Sequence, residues 1–260
     1  WVESTPAVYN FSDYDELVDT AESVGLSVVL STIAAIHPVW IHRLEPDSEM
    51  VTNFGHKVIS SNRGESHFGL SPGGCIDHPG IWKRMAAFIS ETAKHYANRS
   101  SVVGWDVWNE LRWNVQADGL VCFCEHTMAG FHGWLQEKYG DLDSLNAAWN
   151  MRYVDWSDVT GGKLPRSPYT NIMAFQHFIT ERSNRHARAR YDLVKAHNPD
   201  KPVTVHGNQP TLMYSAADGS STALWRGNDF SFSEHIDGIG TSSFPAWRTS
   251  GNSELDHIDF

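Results

Sequence analysis

One glutamate, Glu110, follows directly on an apolar run and has an amide residue immediately before it. The run 101–109 reads SVVGWDVWN, and its valine and tryptophan content predicts a short strand. A charged, polar segment comes next, so the glutamate falls where a strand gives way to a loop. In (β/α) barrels this carboxyl end of a strand carries active-site groups. A carboxylic acid placed there, beside an amide and several indoles, suits the hydrolysis of glycosidic bonds.

The tripeptide Trp108-Asn109-Glu110 also fits an ordinary surface glutamate at the start of a loop, because a match of this length is weakly specific. The composition helps to distinguish a sugar-cleaving site from an ordinary surface glutamate. The net charge is -11 at pH 7, and 41% of the 260 residues are hydrophobic. The acidic balance disfavours nucleic acid and anionic membranes as partners, and no apolar run is long enough to predict a transmembrane helix. An uncharged carbohydrate is compatible with this charge as a substrate. The eleven tryptophans are enough for some to pack in the core and others to line a sugar-binding site.

Strand and helix patterns alternate around this run, which predicts a parallel sheet with right-handed crossovers. A closed barrel of this type needs eight strands, and the pattern shows four clearly. The pattern therefore fits either an open α/β sheet or part of a barrel. The predicted strands are Leu26–Leu30, Val102–Trp108, Val203–Val205 and Ile236–Ser242, and the predicted helices are Asp13–Val24, one beginning at His78-Pro79, Met128–Tyr139, Asp141–Trp149 and Asn171–His197.

The order of several motifs resembles glycoside hydrolase family 42, the β-galactosidases with a (β/α)8 barrel. The segments WLQEKYG and LDSLNAAW, at a fixed distance after Asn-Glu, are its most specific feature. From Trp1 to about Trp247 the resemblance rests on Trp1, Pro6, Tyr9-Asn10-Phe11, Gly25-Leu26, Pro38-Val39-Trp40, Val103-Gly104-Trp105, Asn109-Glu110, Cys122, Cys124, Trp134-Leu135, Lys138-Tyr139-Gly140, Leu142, Leu145-Asn146 and Ala148-Trp149.

The resemblance implies a partial (β/α)8 TIM barrel, from roughly the end of strand two to just after strand six. Residues 1–260 would be one catalytic domain truncated at both ends. It implies a retaining hydrolase of terminal β-D-galactosides, with Glu110 as general acid/base and Asn109 bonded to the sugar's 2-hydroxyl. The nucleophile, a glutamate ending strand seven, is expected beyond residue 260, so this piece alone is expected to be inactive. Glu234 precedes its strand and is rejected as that partner, and Glu254 lies in a polar tail.

Further substrate contacts are expected at the other strand ends. Arg63, in the loop after strand three, looks like the family's substrate-binding arginine, and a solvated surface arginine is the alternative. Trp40 and Trp247 each follow a strand, so we expect one to stack on the sugar and the other to pack in the core. His37 and His206 also follow strands, where a histidine either lines a pocket or makes a structural hydrogen bond.

The chain has three cysteines, Cys75, Cys122 and Cys124. Some members of the family hold zinc with four cysteines, and the last of those positions falls here on Thr127, a poor ligand. His126, one residue earlier, could complete a Cys3His tetrahedron. We therefore predict a structural zinc on these cysteines and His126, and no cofactor for catalysis. Free thiols, or a disulfide between Cys75 and one of the pair, are the alternatives.

Other functions fit parts of the same pattern. A retaining barrel glycosidase of the mannanase or endoglucanase type also ends strand four with Asn-Glu, although the two helical segments argue against it. A non-catalytic carbohydrate-binding homologue would keep the tryptophans and lose the carboxylate pair, and a plain α/β structural domain would need neither. The family resemblance also implies a homo-oligomer, often a trimer, and a cytoplasmic location.

Overall fold

A parallel sheet organises the structure, which is a computed structural model that describes residues 2–32, 34, 36–38, 40–58, 74–109, 121–162, 167–207 and 228–241. Its strands are β1 (Val28–Ser31), β4 (Val102–Asp106), β5 (Val203–Gly207) and β6 (Gly238–Thr241), in the order β1-β4-β5-β6. A small antiparallel hairpin joins β2 (Met50–Val51) to β3 (Lys57–Val58). The α-helices in these ranges are α1 (Ser12–Ser23), α2 (Ile41–Leu44), α3 (Pro79–His95), α4 (Glu125–Tyr139), α5 (Leu142–Trp149), α6 (Tyr169–Lys195) and α7 (Asp229–Ser233), and a 3-10 helix spans Trp156–Asp158.

The register of the sheet gives its two faces different compositions. Leu30, Trp105 and Val203 are aligned across β1, β4 and β5, so their side chains share one face, which is apolar. The neighbouring positions Asp106 and Thr204 are also aligned, and because side chains alternate along a strand they lie on the opposite face. That second face carries these polar residues together with glycines of β4 and β6 and Val29 of β1.

The apolar face is buried against helices. Trp105 is fully buried and belongs to one core cluster with residues of α3, α4 and α6. Apolar residues at helical spacing in those helices, such as Ile81, Met85 and Ile89 in α3, supply the other side of this core. No helix within the described ranges is both long and apolar enough to cross a lipid bilayer.

The predicted strands are all present, with boundaries shifted by a few residues. Several helix starts also shift by one to three residues, and local contacts explain the shifts of α1 and α4. Helix α1 begins at Ser12, one residue before the predicted Asp13, with Phe11 as its N-cap, and the Asn10 side chain accepts a hydrogen bond from the Ser12 amide. Helix α4 begins at Glu125, before the predicted Met128, because the Cys124 sulfur accepts from the Thr127 amide and caps the first turn. Asp141, the first residue of the predicted helix, is the N-cap of α5.

Phe131 of α4 offers a test of the packing of this core. Its ring is fully buried and meets Phe175 edge-on at 5.1 Å between centroids. Phe131→Ala should lower the free energy of unfolding by about 3–5 kcal/mol, because it leaves a cavity. Phe54→Ala is the matched control, since that ring is 62% exposed, and should change it by less than about 0.5 kcal/mol. Urea unfolding followed by tryptophan fluorescence measures the free energy of unfolding of both variants. Equal losses in the two variants would contradict the buried position of Phe131.

Candidate active site

The carboxyl end of β4 is fixed from both sides by backbone hydrogen bonds. On the β5 side, the Val107 amide donates to Thr204 O at 2.9 Å, and the His206 amide donates to Trp108 O at 3.1 Å. On the β1 side, the Thr32 amide donates to Asp106 O at 2.9 Å. The pairing therefore continues past the strand itself, and it sets Asn109 beside the end of β5.

Asn109 and His206 meet at this edge of the sheet. Asn109 Oδ1 lies 2.8 Å from His206 Nδ1, although 97 residues separate them in the chain. Asn109 is exposed, so its side chain is open to a ligand. The structure thus brings together the amide predicted to bind substrate and one of the two histidines predicted at strand ends.

Asp106 supports this strand end, and the sequence analysis did not identify it. One oxygen of its carboxylate accepts from Ser31 Oγ at 3.2 Å, and the other accepts from the His206 amide at 3.2 Å. The residue thereby joins the ends of β1, β4 and β5. A single carboxylate inside the apolar run VVGWDVW was the available signal, because a charge in a strand interior needs partners.

Arg190 of α6 is a second such position. Its side chain is almost fully buried, its guanidinium carbon lies 3.9 Å from the centre of the Trp108 ring, and its Nη1 donates to Val107 O at 3.3 Å. Burial lowers the pKa of Arg190 to about 9, against a smaller opposing effect of Asp106. A stacked cation therefore supports the two residues that precede Asn109.

Among the other predicted substrate residues, Glu110, Arg63 and Trp247 lie outside the described residues. Trp40 is 6% exposed, its Nε1 donates to Ser4 O at 3.1 Å, and the Arg84 guanidinium stands 5.4 Å from its ring centre. Trp40 therefore belongs to the hydrophobic core, and it also borders a cavity beside β1. Its role as a sugar-stacking residue stays a prediction.

His37 also has a structural place. It is buried, and its Nδ1 accepts from the Gly74 amide at 2.7 Å. Burial, and then the nearby His42 and Arg190, lower its pKa to about 3, so the ring is neutral. It borders a largely apolar cavity of about 410 Å³ beside β1. Neither Asn109 nor His206 lines this cavity, so it is separate from the strand-end site.

The three cysteines converge behind the hairpin. Their sulfur atoms lie within 4.8 Å of one another, and all three residues are buried and free of disulfides. Burial and the neighbouring thiols raise the pKa of Cys75, whereas hydrogen bonds from Cys122 and Cys75 lower that of Cys124. Tetrahedral zinc with bonds of about 2.3 Å places its sulfur ligands about 3.8 Å apart. The donor set and the spacing therefore fit zinc.

Thr127, and not His126, occupies the fourth side of this cluster. The Thr127 hydroxyl oxygen lies 3.3 Å from Cys75 Sγ and 3.4 Å from Cys124 Sγ. The His126 ring instead packs edge-on against His78, at 4.5 Å between centroids. Because successive residues of a helix point about 100° apart, the turn that Cys124 caps through Thr127 directs His126 away. The prediction of His126 as a ligand is corrected accordingly.

Asp77 connects this cluster to α6, and the sequence analysis did not identify it. Its Oδ2 accepts from the Thr127 hydroxyl at 2.6 Å and from Arg182 Nη1. Burial by itself raises the pKa of Asp77, but Arg182, His186 and Thr127 outweigh it and bring the pKa to about 2. The carboxylate is therefore ionised and paired in the interior, next to the thiols.

Comparison with known proteins is consistent with this geometry. The family model of glycoside hydrolase family 42, described as "Beta-galactosidase", matches residues 1–258. The chain is 27% identical over 214 residues to a β-galactosidase of Heyndrickxia coagulans, covering 78% of this chain and 30% of that protein. It is 27% identical over 262 residues to a β-galactosidase of Alicyclobacillus acidocaldarius, covering 95% and 33%.

A solved β-galactosidase from Bacillus circulans sp. alkalophilus superposes with a TM-score of 0.76 at 21% identity, over 95% of this chain and 34% of that one. At this identity the likeness shows the fold, and the sheet described above is part of an α/β barrel, as predicted. The chain spans about a third of the length of the relatives it matches.

The neutral, buried His37 should make stability depend on pH. Between pH 6.5 and about 3, the unfolded chain binds a proton at this residue that the folded chain does not. Folding stability should therefore fall on acidification through this window, by at most about 1.4 kcal/mol per pH unit from His37. His37→Asn keeps an acceptor for the Gly74 amide and does not titrate, so its stability should fall less steeply. Parallel slopes in urea unfolding at several pH values would contradict a neutral His37.

Proposed function

Because the chain belongs to glycoside hydrolase family 42, we propose that the whole protein is a retaining β-galactosidase that removes terminal β-D-galactosyl groups. The observation that carries the proposal is the position of Asn109. It stands exposed at the carboxyl end of a central strand of a barrel sheet, where this architecture places substrate-binding and catalytic groups. Glu110 is the next residue in the chain.

In this proposal Glu110 is the general acid and then the general base. It protonates the bridging oxygen as the galactosyl group departs, and it later activates the water that releases the sugar. The nucleophile is a second carboxylate about 5 Å away, which we propose lies beyond residue 260. Burial and that second negative charge would keep Glu110 protonated before the attack. Asn109 would bind the 2-hydroxyl, a contact that strengthens in the transition state.

The names of the two curated relatives described above support a galactoside over the mannanase or endoglucanase alternative, because both are β-galactosidases. If the protein were instead a non-catalytic carbohydrate-binding homologue, Glu110 would have no catalytic role. A homotrimer and a cytoplasmic location remain expectations that the family resemblance supplies.

The role of Glu110 is tested by Glu110→Gln in the whole protein, with lactose and dinitrophenyl β-galactoside as substrates. Loss of the acid should lower kcat/KM for lactose by about 100- to 10 000-fold. The dinitrophenyl substrate should lose less, because its leaving group departs without protonation. Glu137→Gln, at an exposed position of α4, is the control and should leave both unchanged. Undiminished turnover of lactose would reject the assignment, and an inactive wild type would favour the binding homologue.

We also propose that Cys75, Cys122 and Cys124 hold a structural zinc ion. Thiolates are the ligands zinc favours, and two backbone amides, those of Val51 and Cys124, already donate to Cys122 Sγ at 3.4 Å. Such bonds favour the ionised form of a thiol, but burial and the hydrogen bond with Cys124 outweigh them and raise the pKa of Cys122 to about 11. Zinc binding would therefore release that proton. The ion would hold the hairpin, the segment before α3 and the start of α4 together, and it supplies no catalytic chemistry here.

Metal content distinguishes the ligands in this proposal. Protein purified without chelator should contain about one zinc per chain, measured by inductively coupled plasma mass spectrometry. Cys124→Ala should lose it, because one thiolate is removed from the buried set. His126→Ala should retain it, since that ring packs elsewhere. A wild type with far less than one zinc would remove the proposal, and loss of zinc in His126→Ala would restore the histidine as a ligand.

A further inference from the structure

The contact between His206 and Asn109 has a consequence for the direction of the amide. The atom of Asn109 that faces the ring at 2.8 Å is the carbonyl oxygen Oδ1, which can only accept. The ring nitrogen Nδ1 must therefore carry the proton and donate. With its oxygen engaged in this way, the amide turns its NH₂ group to the opposite side. Asn109 is exposed, so that NH₂ group is available to a ligand.

We propose that His206 is a positioning residue, which holds Asn109 so that its NH₂ group donates to the substrate's 2-hydroxyl. This inference rests on the proposed function and adds a residue to it. Without the ring, the amide would be free to rotate about its two side-chain torsions, and it would present either its oxygen or its nitrogen to the sugar. When one orientation is fixed before the substrate binds, the entropy cost of ordering the amide is not added to the activation free energy.

The backbone around His206 is itself fixed, which makes it suited to this role. The His206 amide donates both to Trp108 O at 3.1 Å and to the Asp106 carboxylate at 3.2 Å. The second oxygen of Asp106 is held by Ser31 Oγ at 3.2 Å. The backbone of His206 is therefore hydrogen-bonded to the same end of β4 that carries Asn109. Neither partner can shift alone without breaking these hydrogen bonds.

Two substitutions at this position separate hydrogen bonding from packing. His206→Asn places an amide nitrogen near the position of Nδ1 and keeps a donor, whereas His206→Leu has nearly the same shape and no donor. In the whole protein, His206→Leu should lower kcat/KM for nitrophenyl β-galactoside by about five- to tenfold, the effect of one lost hydrogen bond. Most of the loss should fall on kcat, and His206→Asn should recover most of it.

A second substrate shows whether the effect passes through the 2-hydroxyl. With the 2-deoxy analogue of the same galactoside, His206→Leu and wild type should have similar kcat/KM. In an Asn109→Ala background, His206→Leu should have no further effect, because the amide that it orients is gone. Equal losses on both substrates, or additive losses in the double variant, would overturn the inference.

A crystal structure of the His206→Leu protein tests the inference without turnover. The Asn109 side chain should leave its present orientation, because its oxygen would otherwise face a methyl group. An unchanged side chain would overturn the positioning role. If wild type hydrolyses no galactoside, the proposed function fails and this structural result still decides the positioning. If wild type is active and His206→Leu is equally active on both substrates, only the positioning fails.

Discussion

The parallel pairing of β4 with β1 on one side and β5 on the other is the constraint on which the rest of the structure depends. Parallel strands in register bring their carboxyl ends to one edge, and here the hydrogen bonds continue through Val107 and Trp108 beyond the strand. Because β4 is bonded on both sides, its end cannot move without breaking several backbone bonds at once. Asn109 therefore has a fixed base, and side chains from distant parts of the sequence can meet it there.

The alternation of side chains along β4 puts core residues on one face of the sheet and polar residues on the other. Trp105 points into the layer of helices and is fully buried, whereas its neighbour Asp106 points to the polar face and bonds to Ser31 and to the His206 amide. A shift of register by one residue would exchange these two faces. The same alternation that buries Trp105 thus turns Asp106 to the polar face, at the carboxyl end of β4, and (β/α) barrels bind ligands at these strand ends.

The sequence predicted the elements of this fold more fully than the contacts of the site. Periodicity and short apolar runs located the strands and the main helices, since those signals are local. The pairing of His206 with Asn109 could not be read in this way, because it depends on which strands are neighbours. Whether Trp40 packs in the core, and whether His126 or Thr127 faces the thiols, depended on side-chain direction. A single helical turn capped by Cys124 decided the second choice, and burial placed Trp40 in the core.

Helix α6 connects the cysteine cluster with the strand end. Arg182 pairs with Asp77, which holds the Thr127 hydroxyl beside the thiols. Arg190, eight residues and so about 12 Å further along the same helix, stacks on Trp108 and bonds to Val107 O. Burying two guanidinium groups is costly unless each is compensated, and each here binds a different part of the barrel. Their compensation therefore depends on α6 keeping one position, so the loops around the cysteines and the end of β4 are held by a single rigid element.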